Sequence, residues 1–366
     1  MSAHEAVAQL TVRLGRLREN YREAARRAGP ARVAPVVKAD AYGLGLAPVA
    51  RALGDAGADR FFVARLEEGI ALRLILREAR IFILDGLTQG AAAAFAAHAL
   101  APVLNSADEI AEWSAFASAR KTRLPAAIHI DTGMNRSGLS REELGAIAAA
   151  PREKLRGIDV QLIMSHLACA DEPEHGLNRM QLERFRAALA MLPPAPASLA
   201  ASAGIELGHD YRFDVVRPGL GLYGGNPVPS RPNPYRMAVR LTSHVLQIRR
   251  LAMGETVGYG ATFTARRPTV LVTVAAGYAD GLIRASGAKG YASLGGVRVP
   301  FAGRISMDLL SLDATDVAAS SLVRGAEVEF LGDEITLADA AAAAGTISHE
   351  VLTSISPRAR RVYVED

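Results

Sequence analysis

The sequence predicts an α/β protein: a (β/α)8 barrel of the TIM type over residues 1–230, followed by a mainly β domain over residues 231–366. Three observations predict it. Short apolar runs alternate with helix-patterned segments in the first part of the chain, as parallel strands joined by right-handed crossovers require. The runs number eight, which suits a closed barrel better than an open sheet. A turn-rich breaker at residues 225–234, with four prolines, then ends the alternation, and strand-like runs dominate beyond it.

The barrel strands are expected at residues 33–38, 60–63, 81–84, 101–104, 126–131, 158–165, 197–202 and 213–216. Helices are expected between them at 48–54, 66–76, 89–99, 107–117, 141–150 and 178–191. Thr88, Ser106 and Ser140 precede three of these helices as N-caps. Glu109 and Glu143 stand three residues after the two serines, as a capping box needs. In the second domain, strands are expected at 237–251, 269–275, 291–294, 297–301, 309–313 and 326–331, with a helix at 337–343.

Composition removes several functional classes. The chain is 50% hydrophobic and 22% charged, an ordinary soluble balance. Its net charge of +4 comes from arginine pairs scattered along the chain, not from the clustered patch that nucleic acid binding needs. Cys169 is the single cysteine, so no intrachain disulfide forms. Charged residues from Glu5 to Arg22 leave no apolar signal core. The longest apolar stretch, 90–104, is interrupted by His98 and Pro102 and falls short of the ~18 residues of a membrane span. A cytoplasmic enzyme is expected.

In a barrel, chemistry sits at the carboxyl ends of the strands. Lys38 closes the first apolar run, in a chain whose only other lysines are Lys121, Lys154 and Lys289. An amine in apolar surroundings is a usable nucleophile, suited to a Schiff base with an aldehyde cofactor such as pyridoxal phosphate. The segment from Asp131 to Arg136 follows run five, Ser165-His166 ends run six and Ser202 ends run seven. A glycine-rich stretch, Arg217-Pro-Gly219-Leu-Gly221-Leu-Tyr-Gly224, follows run eight. Backbone amides there can hold a phosphate. Gly219, Gly221 and Gly224 also match G-x-G-x-x-G, but a proline-rich segment follows in place of the helix a dinucleotide site needs. His166, Cys169, Asp171 and His175 fit no common zinc spacing, so no metal is expected.

Seven segments resemble those of the alanine racemase family. They are Val36-Val-Lys-Ala-Asp-Ala-Tyr-Gly-Leu-Gly45, Asp131-Thr-Gly-Met-Asn-Arg-Ser-Gly138, Ser165-His166, Arg217 to Gly224, Gly258-Tyr-Gly-Ala261, Gly277-Tyr-Ala-Asp-Gly281 and Gly303-Arg-Ile-Ser-Met-Asp308. The resemblance implies a homodimer with shared active sites that racemises alanine on pyridoxal 5'-phosphate (PLP) and supplies D-alanine for peptidoglycan. It implies that Lys38 carries PLP and serves as one catalytic base, with Tyr259 from the partner subunit as the other. Tyr42, Ser202, Gly219, Leu220 and His349 would hold the phosphate. Arg217, backed by His166, would face the ring nitrogen. Arg136 would bind the phenolic oxygen and, with the partner's Met307 backbone, the substrate carboxylate. Asp171, Tyr278, Arg284 and Arg304 would line the entryway.

Three positions depart from the family pattern. His129 stands where many relatives carry a lysine, often carbamylated, that orients the arginine. His349 replaces a tyrosine and Ala201 an asparagine. The His349 replacement predicts looser selectivity, with some racemisation of serine. Two other activities share parts of this pattern. A PLP-carrier barrel would lack residues 235–366 and Tyr259, and a barrel decarboxylase would want an acid, not Arg217, at the ring nitrogen.

Overall fold

A computed structural model describes residues 8–366. Six parallel strands run in chain order: Arg60–Val63, Arg80–Ile83, Ala101–Leu104, Leu124–His129, Ile158–Met164 and Ala197–Ser198. A parallel pair, Arg32–Val33 with Val215–Val216, closes the ring. On one side Val37 N donates to Phe62 O at 2.9 Å, and on the other Arg217 N donates to Ala200 O at 2.8 Å. Every residue of Arg60–Val63 and Ala101–Leu104 is buried, as expected of strands covered on both faces.

The helices form where local chemistry favours them. Ser106 and Ser140 accept from the amides of Glu109 and Glu143, each at 3.2 Å. Glu143 returns a bond to Ser140 N at 2.9 Å, completing a capping box. Glu109 does not, because its carboxylate takes the amides of Leu87 and Asn105 instead. Thr88 is no cap: a turn at Gly90 (φ +76°) intervenes, and the helix is Ala92–Ala97.

The second domain is an eight-stranded sheet, and it contains a strand from the start of the chain. Gln9–Arg13 pairs antiparallel with Val239–Leu251 and parallel with Arg360–Val364. The expected assignment of residues 1–230 to the barrel is therefore corrected for this strand; residues 1–7 lie outside the described part. The cause is its alternation: Leu10 and Val12 are fully buried between half-buried neighbours. Helix Leu14–Ala28 then crosses to the barrel, burying Leu17, Tyr21, Ala24 and Ala28 along one stripe. On that helix Asn20 donates to Leu222 O at 3.0 Å and Arg236 O at 2.8 Å, stapling the segment after the last barrel strand. Among the described residues no helix is long and apolar enough to cross a membrane.

Candidate active site

The first barrel strand ends earlier than its sequence suggests, and Lys38 opens a helical turn of the wrong hand. Ala39, Asp40, Ala41 and Tyr42 have φ of 52°, 54°, 54° and 59°. None is glycine, and left-handed helix costs L-residues roughly 1–2 kcal/mol each. Such a turn persists only where tertiary structure over-determines it. The Tyr42 ring packs on Tyr223 at 4.6 Å between centroids, and Tyr223 Oη donates to Val36 O at 2.9 Å. The His349 ring lies 5.9 Å from Tyr42. Lys38 Nζ and Tyr42 Oη make no hydrogen bond among the described residues.

Beneath Tyr42 lies a cradle built by the last two barrel strands. Ser202 Oγ accepts from Gly219 N at 3.0 Å and Gly221 N at 3.2 Å. A Cβ at Gly219 would overlap Tyr42 Oη, so glycine is required for the tyrosine to lie there. Leu220 is buried and opens the short 3-10 turn Leu220–Tyr223.

Arg217 is 3% exposed and tightly held. It donates to Ser198 Oγ, to Ser165 O at 2.6 Å and to His166 Nδ1 at 3.4 Å. Burial lowers its pKa to about 10, so it stays cationic at neutral pH. Because Nδ1 of His166 accepts, the proton of that neutral ring is on Nε2. Burial, with Arg217, Arg136, His129 and Lys38 around it, holds His166 down to about 3. The positive charge of this pair is therefore Arg217's alone.

His129, at the end of its strand, is 7% exposed and lies 2.7 Å from Asn105 Oδ1 through Nδ1. Asn105 gives its amino group to Leu84 O at 3.2 Å and Val103 O at 2.8 Å, so its oxygen faces the histidine and Nδ1 carries the proton. Burial, with Arg217 next, lowers the His129 pKa to about 4. Asp131 Oδ1 accepts the amides of Gly133, Met134 and Asn135, shaping the loop that carries Arg136. Leu139 N returns to His129 O at 2.7 Å. Arg136 itself is exposed, with no ion pair or hydrogen bond among the described residues.

The remaining predicted residues lie elsewhere. Tyr259 is 69% exposed, and no described contact joins it to the barrel rim. Met307 (53%) and Tyr278 (40%) are likewise exposed. Tyr278 N and Ala279 N donate to the carbonyls of Ser306 and Met307, each at 3.0 Å. The Arg304 guanidinium lies against Gly260, the next residue after Tyr259. Arg284 is exposed on the short turn Arg284–Ser286. Asp171, an exposed residue beyond strand Ile158–Met164, acts electrostatically on His349, an exposed side chain whose pKa is lowered by partial desolvation of its ring and then by Lys38.

The rim thus gathers Lys38, Tyr42, Arg136, His166, Ser202, Arg217, Gly219, Leu220 and His349, and leaves out Tyr259 and Met307. Sequence reasoning missed Asn105, Ser198, Tyr223 and Glu68, which hold that group. Asn105 follows a strand's carboxyl end, where the positional rule that singled out Lys38 could have found it. Glu68 carries no such signal.

Comparison with known proteins gives one consistent result. Models of the alanine racemase N-terminal and C-terminal domains match residues 12–227 and 238–363. A catabolic alanine racemase of Agrobacterium fabrum is 48% identical over 365 residues, covering 100% of this chain and 94% of the relative. The alanine racemase of Methylobacterium nodulans is 47% identical over 358 residues, covering 98% of this chain and 96% of its own. Among solved structures, Bartonella henselae alanine racemase with covalently bound pyridoxal phosphate aligns with a TM-score of 0.93 at 38% identity, covering 98% of this chain and 100% of that one.

Proposed function

The chain belongs to the alanine racemase family, and we propose that it interconverts L-alanine and D-alanine with pyridoxal 5'-phosphate held on Lys38. One observation carries this reading. An amine, a phenol and a guanidinium (Lys38, Tyr42 and Arg136), none with a hydrogen bond of its own side chain among the described residues, stand beyond the carboxyl ends of barrel strands, as does the Ser202–glycine cradle. That donor set fits an anionic aldehyde cofactor. Lys38 Nζ would take the aldehyde carbon. Tyr42 Oη, Ser202 Oγ, His349 and the backbone of Gly219 and Leu220 would surround the phosphate. Arg217 would face the ring nitrogen, and Arg136 would hold the phenolic oxygen and the substrate carboxylate.

When bound, the cofactor withdraws electrons from the substrate Cα–H bond and makes its proton removable. The protein's own groups decide where that proton goes. Arg217 is cationic and keeps its protons at neutral pH, and its neighbour His166 is neutral, so neither would protonate the ring nitrogen. That moderates electron withdrawal and disfavours transamination. Lys38 Nζ holds or moves the proton on one face of Cα. Tyr259 Oη serves the other face, and its exposure leaves it free to meet the rim of a second copy. A head-to-tail homodimer would also bring Met307 to the carboxylate site and put Asp171, Tyr278, Arg284 and Arg304 along the approach. D-alanine made in this way would serve peptidoglycan synthesis in the cytoplasm.

The deciding assay follows the optical activity of L-alanine together with CO2. Loss of rotation without gas supports racemisation; gas release would turn the reading into a decarboxylase. The dimer has its own test, in which Lys38→Ala and Tyr259→Phe enzymes are mixed, dissociated and reassembled. If each site takes its lysine from one copy and its tyrosine from the other, half the mixed dimers' sites are whole. Activity then returns to about a quarter of the wild-type value. No return would remove the shared site.

A further inference from the structure

The turn that opens with Lys38 is held at both ends by side chains outside the catalytic group. At its start, Ala39 N donates to Glu68 Oε1 at 2.6 Å. The other oxygen of Glu68 takes Ala64 N at 2.8 Å and Arg65 N at 3.1 Å. The same carboxylate therefore caps helix Leu66–Ile75 and grips the residue next to Lys38. At the turn's end, the Arg361 guanidinium donates to Gly43 O at 2.9 Å through Nη2 and at 3.3 Å through Nε. Tyr363 Oη adds a bond to Leu44 O at 3.1 Å. Arg361 is itself fixed by bonds to the carbonyls of Ile355, Ser356 and Ala359. Both it and Tyr363 belong to strand Arg360–Val364 of the second domain.

These bonds oppose a specific relaxation. Ala39 at φ 52° is unfavourable for an alanine, and its release to the right-handed region would swing the Cα–Cβ bond of Lys38 away from the rim. We propose that Glu68 and Arg361 are positioning residues for Lys38, one from a barrel helix and one from the last strand of the other domain. Lysine placement is then coupled to docking of the C-terminal sheet. The inference rests on the reading of Lys38 as the cofactor-bearing lysine, and deepens it.

The test uses the full-length holoenzyme and the variants Glu68→Gln and Arg361→Met. Glutamine puts an amino group where an acceptor is needed, so it cannot serve all three amides. Each variant is expected to raise hydrogen exchange at the amides of 39–42 by about tenfold over the rest of the barrel. Each should also lower kcat by about 10- to 100-fold with KM little changed, as misplacement of a reacting group does. Adding Ala39→Gly to Glu68→Gln should recover about threefold or more of the lost kcat, because glycine accepts the left-handed conformation. Exchange that rises evenly through the barrel, KM that rises with kcat unchanged, or no recovery with glycine would overturn the proposal. Borohydride reduction of the wild type and peptide mapping report separately on the cofactor: a label away from Lys38 defeats the functional reading, while the exchange result still judges the clamp.

Discussion

The barrel rim and the Tyr259 patch share the proposed chemistry but are built in opposite ways. On the rim, Arg217 is sealed by carbonyl and hydroxyl acceptors, and Ser202 is tied to two glycine amides. On the patch, Tyr259 and Met307 stand mostly in solvent, and no side-chain hydrogen bond among the described residues aims them. The rim is preorganised by its own fold, whereas in the proposed dimer the patch would acquire its environment against another surface. A cofactor site would then be complete in one chain while assembly supplied the second proton carrier.

Removing Lys38 breaks the comparison at its strongest point. On the proposed reading Lys38→Ala would lose both the cofactor's anchor and one proton carrier, so turnover should fall beyond about 10⁴-fold. No label should then be trapped by borohydride; a labelled protein of normal activity would move the chemistry to another residue. Tyr259→Phe sharpens the contrast from the other side. It should leave cofactor binding unchanged and lower kcat by at least about 10²-fold in both directions. An unchanged rate would remove the patch from catalysis.

Smaller effects probe two histidines at the rim. His349 lies beside Tyr42 and near Lys38, where it shapes the wall of the site. The ratio of kcat/KM for L-alanine to that for L-serine should rise severalfold in His349→Tyr. Equal ratios in the two enzymes would show that this wall does not select. His129 bears on stability. Held neutral down to about pH 4, it binds no proton where an unfolded histidine, with pKa ~6.5, does. Stability from this residue is thus present above pH ~6.5 and falls as pH drops toward about 4, by at most about 1.4 kcal/mol per unit. His129→Gln, which can still donate to Asn105, should flatten that slope in denaturant titrations; an unchanged slope would assign the acid sensitivity elsewhere.

Much of the fold and of the rim is legible in the amino-acid sequence alone. Barrel strands announce themselves as short apolar runs because both their faces are covered, and Ser106 and Ser140 signal their helices through side-chain chemistry. Lys38, Arg136, His166, Ser202 and Arg217 share one positional rule, whereas His349, on helix Ser348–Thr353 of the second domain, is reached only through the family resemblance. What escapes such reading depends on distant partners. Nothing in Ala39–Tyr42 encodes a left-handed turn, since no glycine marks it and the groups that hold it, Tyr223, Glu68 and Arg361, are far away in sequence. Gln9–Arg13 alternates as a strand should, but its neighbours are Val239–Leu251 and Arg360–Val364, which five residues cannot specify. Glu68 looks like one helical carboxylate among many.

That woven sheet has a consequence for how the protein is made. Strand Gln9–Arg13 lies between Val239–Leu251 and Arg360–Val364, so it must wait until residues 360–364 are made before its seam can close. A fragment starting after the breaker would lack an inner strand, exposing two edges to foreign pairing. The matches at 12–227 and 238–363 are therefore not two pieces that can be separated and studied apart.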